Sequence, residues 1–216
     1  MKKLTMLLMF VLTLAFVMPE ASAQNRQLEK ARKREYKAKK KEFKKGGWQI
    51  YGTTRSLDVA LLTHYDQLNA LGDKAFEVMG VAPRFKSKNV GKNEAMNNAA
   101  ILYAQQAGKT VKGRIVSDMA SNGVDPGEEF DHFYAAYESV VEKEIKGELK
   151  ESFSVIRDLG NGEYEMQTFF IVNEDAATQA RIRAYENALK ESAAAQKYAE
   201  KVSQFVREGF PVEAAE

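Results

Sequence analysis

The sequence predicts an α+β fold, an antiparallel sheet packed by long helices, and three observations carry that prediction. Residues 152–172 read as two alternating strands around Gly160-Asn161-Gly162, residues that accept the positive φ of a tight hairpin turn. Ala95, Ala99, Tyr103, Ala107, Val111, Ile115 and Met119 fall every four residues, the spacing of one helical face. Asp125-Pro126-Gly127-Glu128 combines an N-cap, a proline at the first helical position and an early acid, which together start a helix.

Taken in order, the chain opens with Lys2 and Lys3, an apolar run from Leu4 to Val17, Pro19 and the small-residue triplet Ala21-Ser22-Ala23. That is the pattern of a cleavable signal peptide over residues 1–23, with the mature chain expected from Gln24. The run is shorter than the ~20 apolar residues of a stable membrane span. Residues 24–47 follow as a basic arm, rich in helix formers but poor in apolar residues. A marginal solvated helix or a disordered segment is expected there. A single α+β domain is expected over 48–210, with 211–216 as a tail.

Within that domain, Trp48 to Tyr51 alternates as a short strand. Ser56 caps a helix over 57–71, with Leu57, Ala60, Leu61, His64, Leu68 and Leu71 on one face and Gly72 past its end. Residues 74–82 read as a strand and 83–91 as a polar loop. A helix follows over 92–119, with a break at Gly108 and a strand after it as the rival reading. The helix begun at Asp125 runs to Lys150. On the second hairpin strand Tyr164, Met166, Thr168, Phe170 and Val172 share a face, while Phe169 and Ile171 make the far end apolar on both faces, as if covered there. One helix of more than thirty residues is expected from Asn173 to Gly209.

Charge is segregated along the chain. Residues 24–45 hold eleven Lys or Arg against Glu29, Glu35 and Glu42, a net of plus eight. The whole chain carries plus two and residues 1–23 carry plus one, so residues 46–216 carry minus seven. Such asymmetry marks an interaction tail. Arg32, Lys33, Arg34, Lys37, Lys39, Lys40, Lys41, Lys44 and Lys45 are the candidate contacts to an anionic surface. With only Tyr36 and Phe43 among them, the arm lacks the interleaved aromatics of a single-stranded nucleic-acid binder, and nucleic acid is disfavoured as a partner. The chain has no cysteine, which excludes disulfide staples, thiol catalysis and lipid attachment through a cysteine.

From Lys92 to Asn173 the succession EAMNNAAILYAQQAGKTVKGRI, FYAAYESVVEKEIKGELKES and FSVIRDLGNGEYEMQTFFIV resembles the twenty-kilodalton outer-membrane-associated lipoprotein family, to which the N-terminal domain of a flagellar-assembly periplasmic protein is related. The resemblance implies helices on one face of an antiparallel sheet, an envelope location and no catalytic residues to carry over. Members are often lipoproteins, and this chain departs from them in lacking the cysteine.

Candidate chemistry is sparse. His64, Asp66, Asp131 and His132 could form a metal site only if the fold brought them together, because no fixed ligand spacing links them. A packed or capping histidine is the simpler reading. Glu128, Glu129 and Asp131 are explained by the helix dipole, and Asp158, Asn161 and Glu163 by turn chemistry rather than calcium. Tyr134, Tyr137, Phe169, Tyr185 and Tyr198 read as core before they read as a ligand groove. No cofactor is implied. The expectation is therefore an exported, non-catalytic envelope protein, periplasmic or secreted or peripheral to the outer membrane. Its partner would be an anionic envelope surface, another envelope protein or a second copy. A periplasmic hydrolase, a metal-dependent enzyme with an unrecognised site and a small-ligand carrier are the alternatives.

Overall fold

A single hairpin organises the sheet. The computed structural model describes residues 20–123, 127 and 129–208. The apolar core of the expected signal peptide, the start signal at Asp125, Pro126 and Glu128, and the 211–216 tail lie outside them. The elements are α1 (Glu20–Lys45), β1 (Gln49–Tyr51), α2 (Leu57–Leu71), β2 (Ala75–Phe85), α3 (Lys88–Ser121), α4 (Glu129–Lys146), β3 (Lys150–Gly160), β4 (Glu163–Asn173), α5 (Glu174–Ala188), α6 (Ala193–Lys197) and α7 (Ala199–Arg207). The chain divides into two units, one ending at Lys45 and the other beginning at Gly46. No described helix is long and apolar enough to cross a membrane.

In the second unit β3 and β4 pair in the centre of an antiparallel sheet of order β1-β3-β4-β2. Their turn sets Gly160, Asn161 and Gly162 at φ of 85°, 55° and 72°, a left-handed run that these residues accept at least cost. Strand alternation then separates two faces. Met166, Thr168 and Phe170 share one with Gly80 and Ala82 of β2, and this face meets α3. Phe153, Phe169 and Glu77 lie on the other, which meets α2 through His64. The resemblance implied helices on one face only. The structure corrects this, and the apolar pair Phe169 and Ile171 is the reason: strand residues apolar on both sides need a cover on both.

The main core lies between α3, α4, α5 and α7, with Phe170 and Val172 beneath them. Helix α3 is continuous over 34 residues, so the strand considered after Gly108 does not form. Gly108 is buried where a Cβ would stand 2.0 Å from Glu138 Oε1 on α4. The glycine admits that neighbour, and the buried stripe on either side offsets its helical penalty of ~1 kcal/mol. The expected loop over 83–91 shrinks, because β2 runs on to Phe85 and α3 begins at Lys88. Phe85 packs with Ala95 and Met166, which keeps the chain on the sheet. Helix α4 stops at Lys146 rather than Lys150, since Lys150 already pairs with Ile171.

The single long C-terminal helix is also corrected. Ser192 adopts extended φ and ψ of −146° and 119°, and its hydroxyl accepts from the Ala195 amide, starting a new helix. The chain thus breaks into α5, a 3-10 turn over Leu189–Glu191, α6 and α7. Tyr185 donates to the Ala199 carbonyl at 2.6 Å and Arg181 Nε to that of Val206 at 3.2 Å, tying α7 back onto α5. The fold-back buries Val202 and Val206.

Helix α2 begins as its sequence indicates. Ser56 accepts the Val59 amide at 3.3 Å, and Asp58 sits in the first turn. Ser56→Ala removes this cap and is expected to cost ~1 kcal/mol of stability, measurable by denaturant titration with an unchanged m-value.

Candidate polar site beneath helix α2

The two histidines have different fates. His64 is 1% exposed, packed edge-on at 5.3 Å from both Tyr65 and Phe153 and at 6.2 Å from Phe169. His132 is exposed on α4. Asp66 is exposed, and Asp131 pairs with Lys112 at 3.3 Å. The considered metal constellation is therefore not brought together, and no group of three or more candidate ligands occurs among the described residues.

What the fold does assemble is a hydrogen-bonded chain. Glu77 Oε2 on β2 lies 2.6 Å from His64 Nε2, and Ser152 Oγ on β3 lies 3.0 Å from His64 Nδ1. A carboxylate oxygen can only accept, so Nε2 donates to Glu77, and in the neutral ring this leaves Nδ1 to accept from the serine hydroxyl. Ser152 owes its position to a bulge: Glu151 pairs with Phe170 and Phe153 with Phe169, so Ser152 is the extra residue between them. Stacked Phe153 and Phe169, 4.5 Å apart, close the floor under the imidazole.

Half-buried Ser152 also lines a cleft of about 240 Å³ shared with Tyr51, Thr53, Arg55, Lys92 and Glu151. Lys92 pairs with Glu151 at 3.0 Å. Glu151 in turn accepts from Ser154 at 2.8 Å, and the Ser154 and Thr168 hydroxyls meet at 3.0 Å in full burial. The Arg55 guanidinium makes no ion pair or hydrogen bond to any described residue. A second cleft of about 430 Å³, mostly apolar, lies at the other end of α2 between Leu71, Lys150 and Ile171.

A separate polar cluster is wholly internal. Arg181, 2% exposed, donates to Tyr103 Oη at 2.6 Å, Glu174 Oε1 at 2.6 Å, Thr178 Oγ1 at 2.7 Å and the Val206 carbonyl. Burial pushes the Tyr103 hydroxyl up to about 12 against the pull of Arg181. The buried Tyr137 hydroxyl has no hydrogen-bond partner among the described residues and is also raised by desolvation. Tyr134 and Tyr185 join Tyr137 in ring contacts with Phe130 and Phe133, and Tyr198 lies beside Phe130. Tyr134, Tyr137 and Tyr185 are core, as their helical spacing suggested, while Tyr198 is half-buried at its edge. Trp48 is buried, with Arg157 over its ring at 4.8 Å and Glu165 bonded to Arg157. Around the hairpin, Asp158 Oδ1 accepts from the Gly160 amide at 2.7 Å, which is turn chemistry, and Glu163 makes a cross-strand ion pair with Arg84 at 3.6 Å.

In the first unit the arm is a helix, α1. Of the nine candidate contacts, Lys33, Arg34, Lys37, Lys41, Lys44 and Lys45 are exposed, and Arg32, Lys39 and Lys40 are half-buried. Lys33 pairs with Glu29 at 2.7 Å and Lys39 with Glu42 at 3.3 Å. Lys39 also lies over the Phe43 ring and Lys40 over Tyr36.

The sequence carried no sign of the Ser152–His64 pairing, because 88 residues separate them. Only the histidine on an otherwise apolar helical face could have flagged it. The fold and site define an α+β protein, a four-stranded antiparallel sheet between helices with a histidine-centred polar cluster. No family model, curated protein or solved structure matches the chain.

Proposed function

We propose that the chain is an exported protein of the bacterial envelope, held on an anionic phospholipid surface by its basic helix, with the α+β body as a binding or assembly module. The observation supporting this reading is the segregation of charge onto α1, which belongs to the unit ending at Lys45 and not to the α+β body. At about 100° per residue the exposed Lys33, Arg34, Lys37, Lys41, Lys44 and Lys45 fall together on one broad face of the helix. That arrangement suits electrostatic contact rather than burial of one apolar face in the bilayer. Each basic residue near such a surface contributes about 1 kcal/mol, screened by salt. The signal-peptide pattern supplies the export, and with no cysteine the attachment is non-covalent.

The test is co-sedimentation with phosphatidylglycerol-containing vesicles. The mature chain from Gln24 is expected to pellet with them at low salt, and a chain begun at Gly46 to stay in the supernatant. Equal binding by both removes the arm from the account, and selective retention by an envelope protein or a second copy instead of lipid replaces the proposed partner. A second reading, a periplasmic hydrolase, is favoured by one observation, the Glu77–His64–Ser152 chain.

A further inference from the structure

We propose that Ser152 is a nucleophile activated by His64, and that its cleft accepts a small ester carrying an anionic group. The proposal rests on the hydrolase reading and is independent of how α1 is used.

Three features support it. First, the hydrogen bonds assign roles as they do in an acyl-transfer triad: acid to one ring nitrogen, serine hydroxyl to the other. The nitrogens are reversed relative to the usual arrangement. Either imidazole nitrogen is a base once the other is tied to a carboxylate, so the chemistry is unchanged. Second, the bulge that adds Ser152 to β3 sets it beside an open cleft while His64 stays sequestered behind it. Bulges recur beside active sites because they re-aim one side chain without disturbing the strand. Third, the cleft's charges are unequal. Lys92 is neutralised by Glu151, whereas the Arg55 guanidinium is exposed and has no partner among the described residues, and a guanidinium recognises carboxylate or phosphate through two parallel hydrogen bonds. About 240 Å³ limits the ligand to a small molecule.

In the reaction Ser152 Oγ attacks the ester carbonyl carbon while its proton passes to His64 Nδ1. Glu77 steadies the imidazolium through Nε2–H. The tetrahedral adduct collapses by breaking the bond to the alcohol oxygen, which leaves with the proton from Nδ1. A water then gives a proton to Nδ1 and attacks the acyl carbon, and Ser152 departs with that proton. Ester and water become acid and alcohol, and the protein is restored. Ser152 and His64 touch the reacting atoms; Glu77 is a positioning residue.

The test uses the mature chain with a fluorophosphonate probe read by mass spectrometry, together with hydrolysis of mono-p-nitrophenyl succinate and p-nitrophenyl acetate. Ser152 is expected to carry the label, and Ser152→Ala to lose both label and hydrolysis. Because replacing buried His64 risks the fold, half-exposed Glu77 provides the second variant. Glu77→Gln is expected to lower kcat by about tenfold or more with KM within about twofold, a split that a merely structural residue would not give. Arg55→Ala is expected to raise KM for the succinate ester by about tenfold. His132→Ala, exposed on α4, should match the parent. Hydrolysis that persists in Ser152→Ala overturns the nucleophile while leaving a hydrolase. No label and no hydrolysis in the folded parent overturn both. An equal kcat/KM for the two esters overturns the anionic substrate class.

Discussion

Gly80→Ala is expected to destabilise the α+β body by about 3 kcal/mol, and by more if α3 cannot move. A Cβ on Gly80 would stand 1.8 Å from the Ala95 carbonyl oxygen, 2.7 Å from its carbon and 3.0 Å from Ala99 Cβ. The first two are backbone atoms inside a helix, so no rotamer change relieves them. The whole of α3 must lift from β2, and the contacts of Ala82, Phe85 and Met166 with Ala95 loosen with it. For a body of this size each kcal/mol shifts Tm by ~2–4 °C, so a fall of about 10 °C is expected in a thermal melt. Gly113, on the same helix with nothing near its missing Cβ, provides the comparison. Gly113→Ala should be neutral or slightly stabilising. Equal effects from the two substitutions would mean that α3 does not seat on β2 as described.

Arg181→Met should cost about as much, for the opposite reason: it empties a filled position. The substitution keeps length and apolar bulk but deletes the donors to Tyr103, Glu174, Thr178 and Val206. Removing one member of a buried charged network typically costs ~3–5 kcal/mol, because the partners are left desolvated and unpaired. Glu174 is 29% exposed and can recover water, which places the expected loss near the lower end, about 3 kcal/mol. The Val206 carbonyl belongs to the fold-back of α7 onto α5, so early release of α7 in hydrogen exchange should accompany the loss. A global stability unchanged within about 0.5 kcal/mol would show that the network only occupies space.

The two residues also show what the sequence could and could not reveal. Gly80 stands inside strand β2 between Met79 and Val81, where glycine signals a bulge or a close backbone approach. The hairpin, the cap at Ser56 and the two-sided apolar end of β4 were legible because each depends on neighbours within a few residues. Arg181 sits between Ala180 and Ile182 with the texture of any solvated helical arginine, and its partners are as distant as Tyr103, 78 residues away. Ser192 falls inside the single helix expected from Asn173 to Gly209. Its capping role appears only when α7 turns back to bury Val202 and Val206, a tertiary demand that outweighs local helical preference. The cluster of Glu77, His64 and Ser152 is hidden for the same reason. It unites one residue from each of three elements, and each alone has an ordinary structural explanation. The basic arm was legible as charge, whereas its helical state was open between two alternatives and resolves as α1.

The central claim is that charge on α1, and not the shape of the protein, holds it on an anionic surface. Its most direct test is the salt dependence of binding to phosphatidylglycerol vesicles by the mature chain and by a variant with Arg32, Lys33, Arg34, Lys37, Lys39, Lys40, Lys41, Lys44 and Lys45 all replaced by glutamine, which retains helix propensity. The account predicts binding by the parent that falls steeply as salt rises through ~0.15 M, and no binding by the helical but neutralised variant. Salt-insensitive binding shared by both proteins would contradict it.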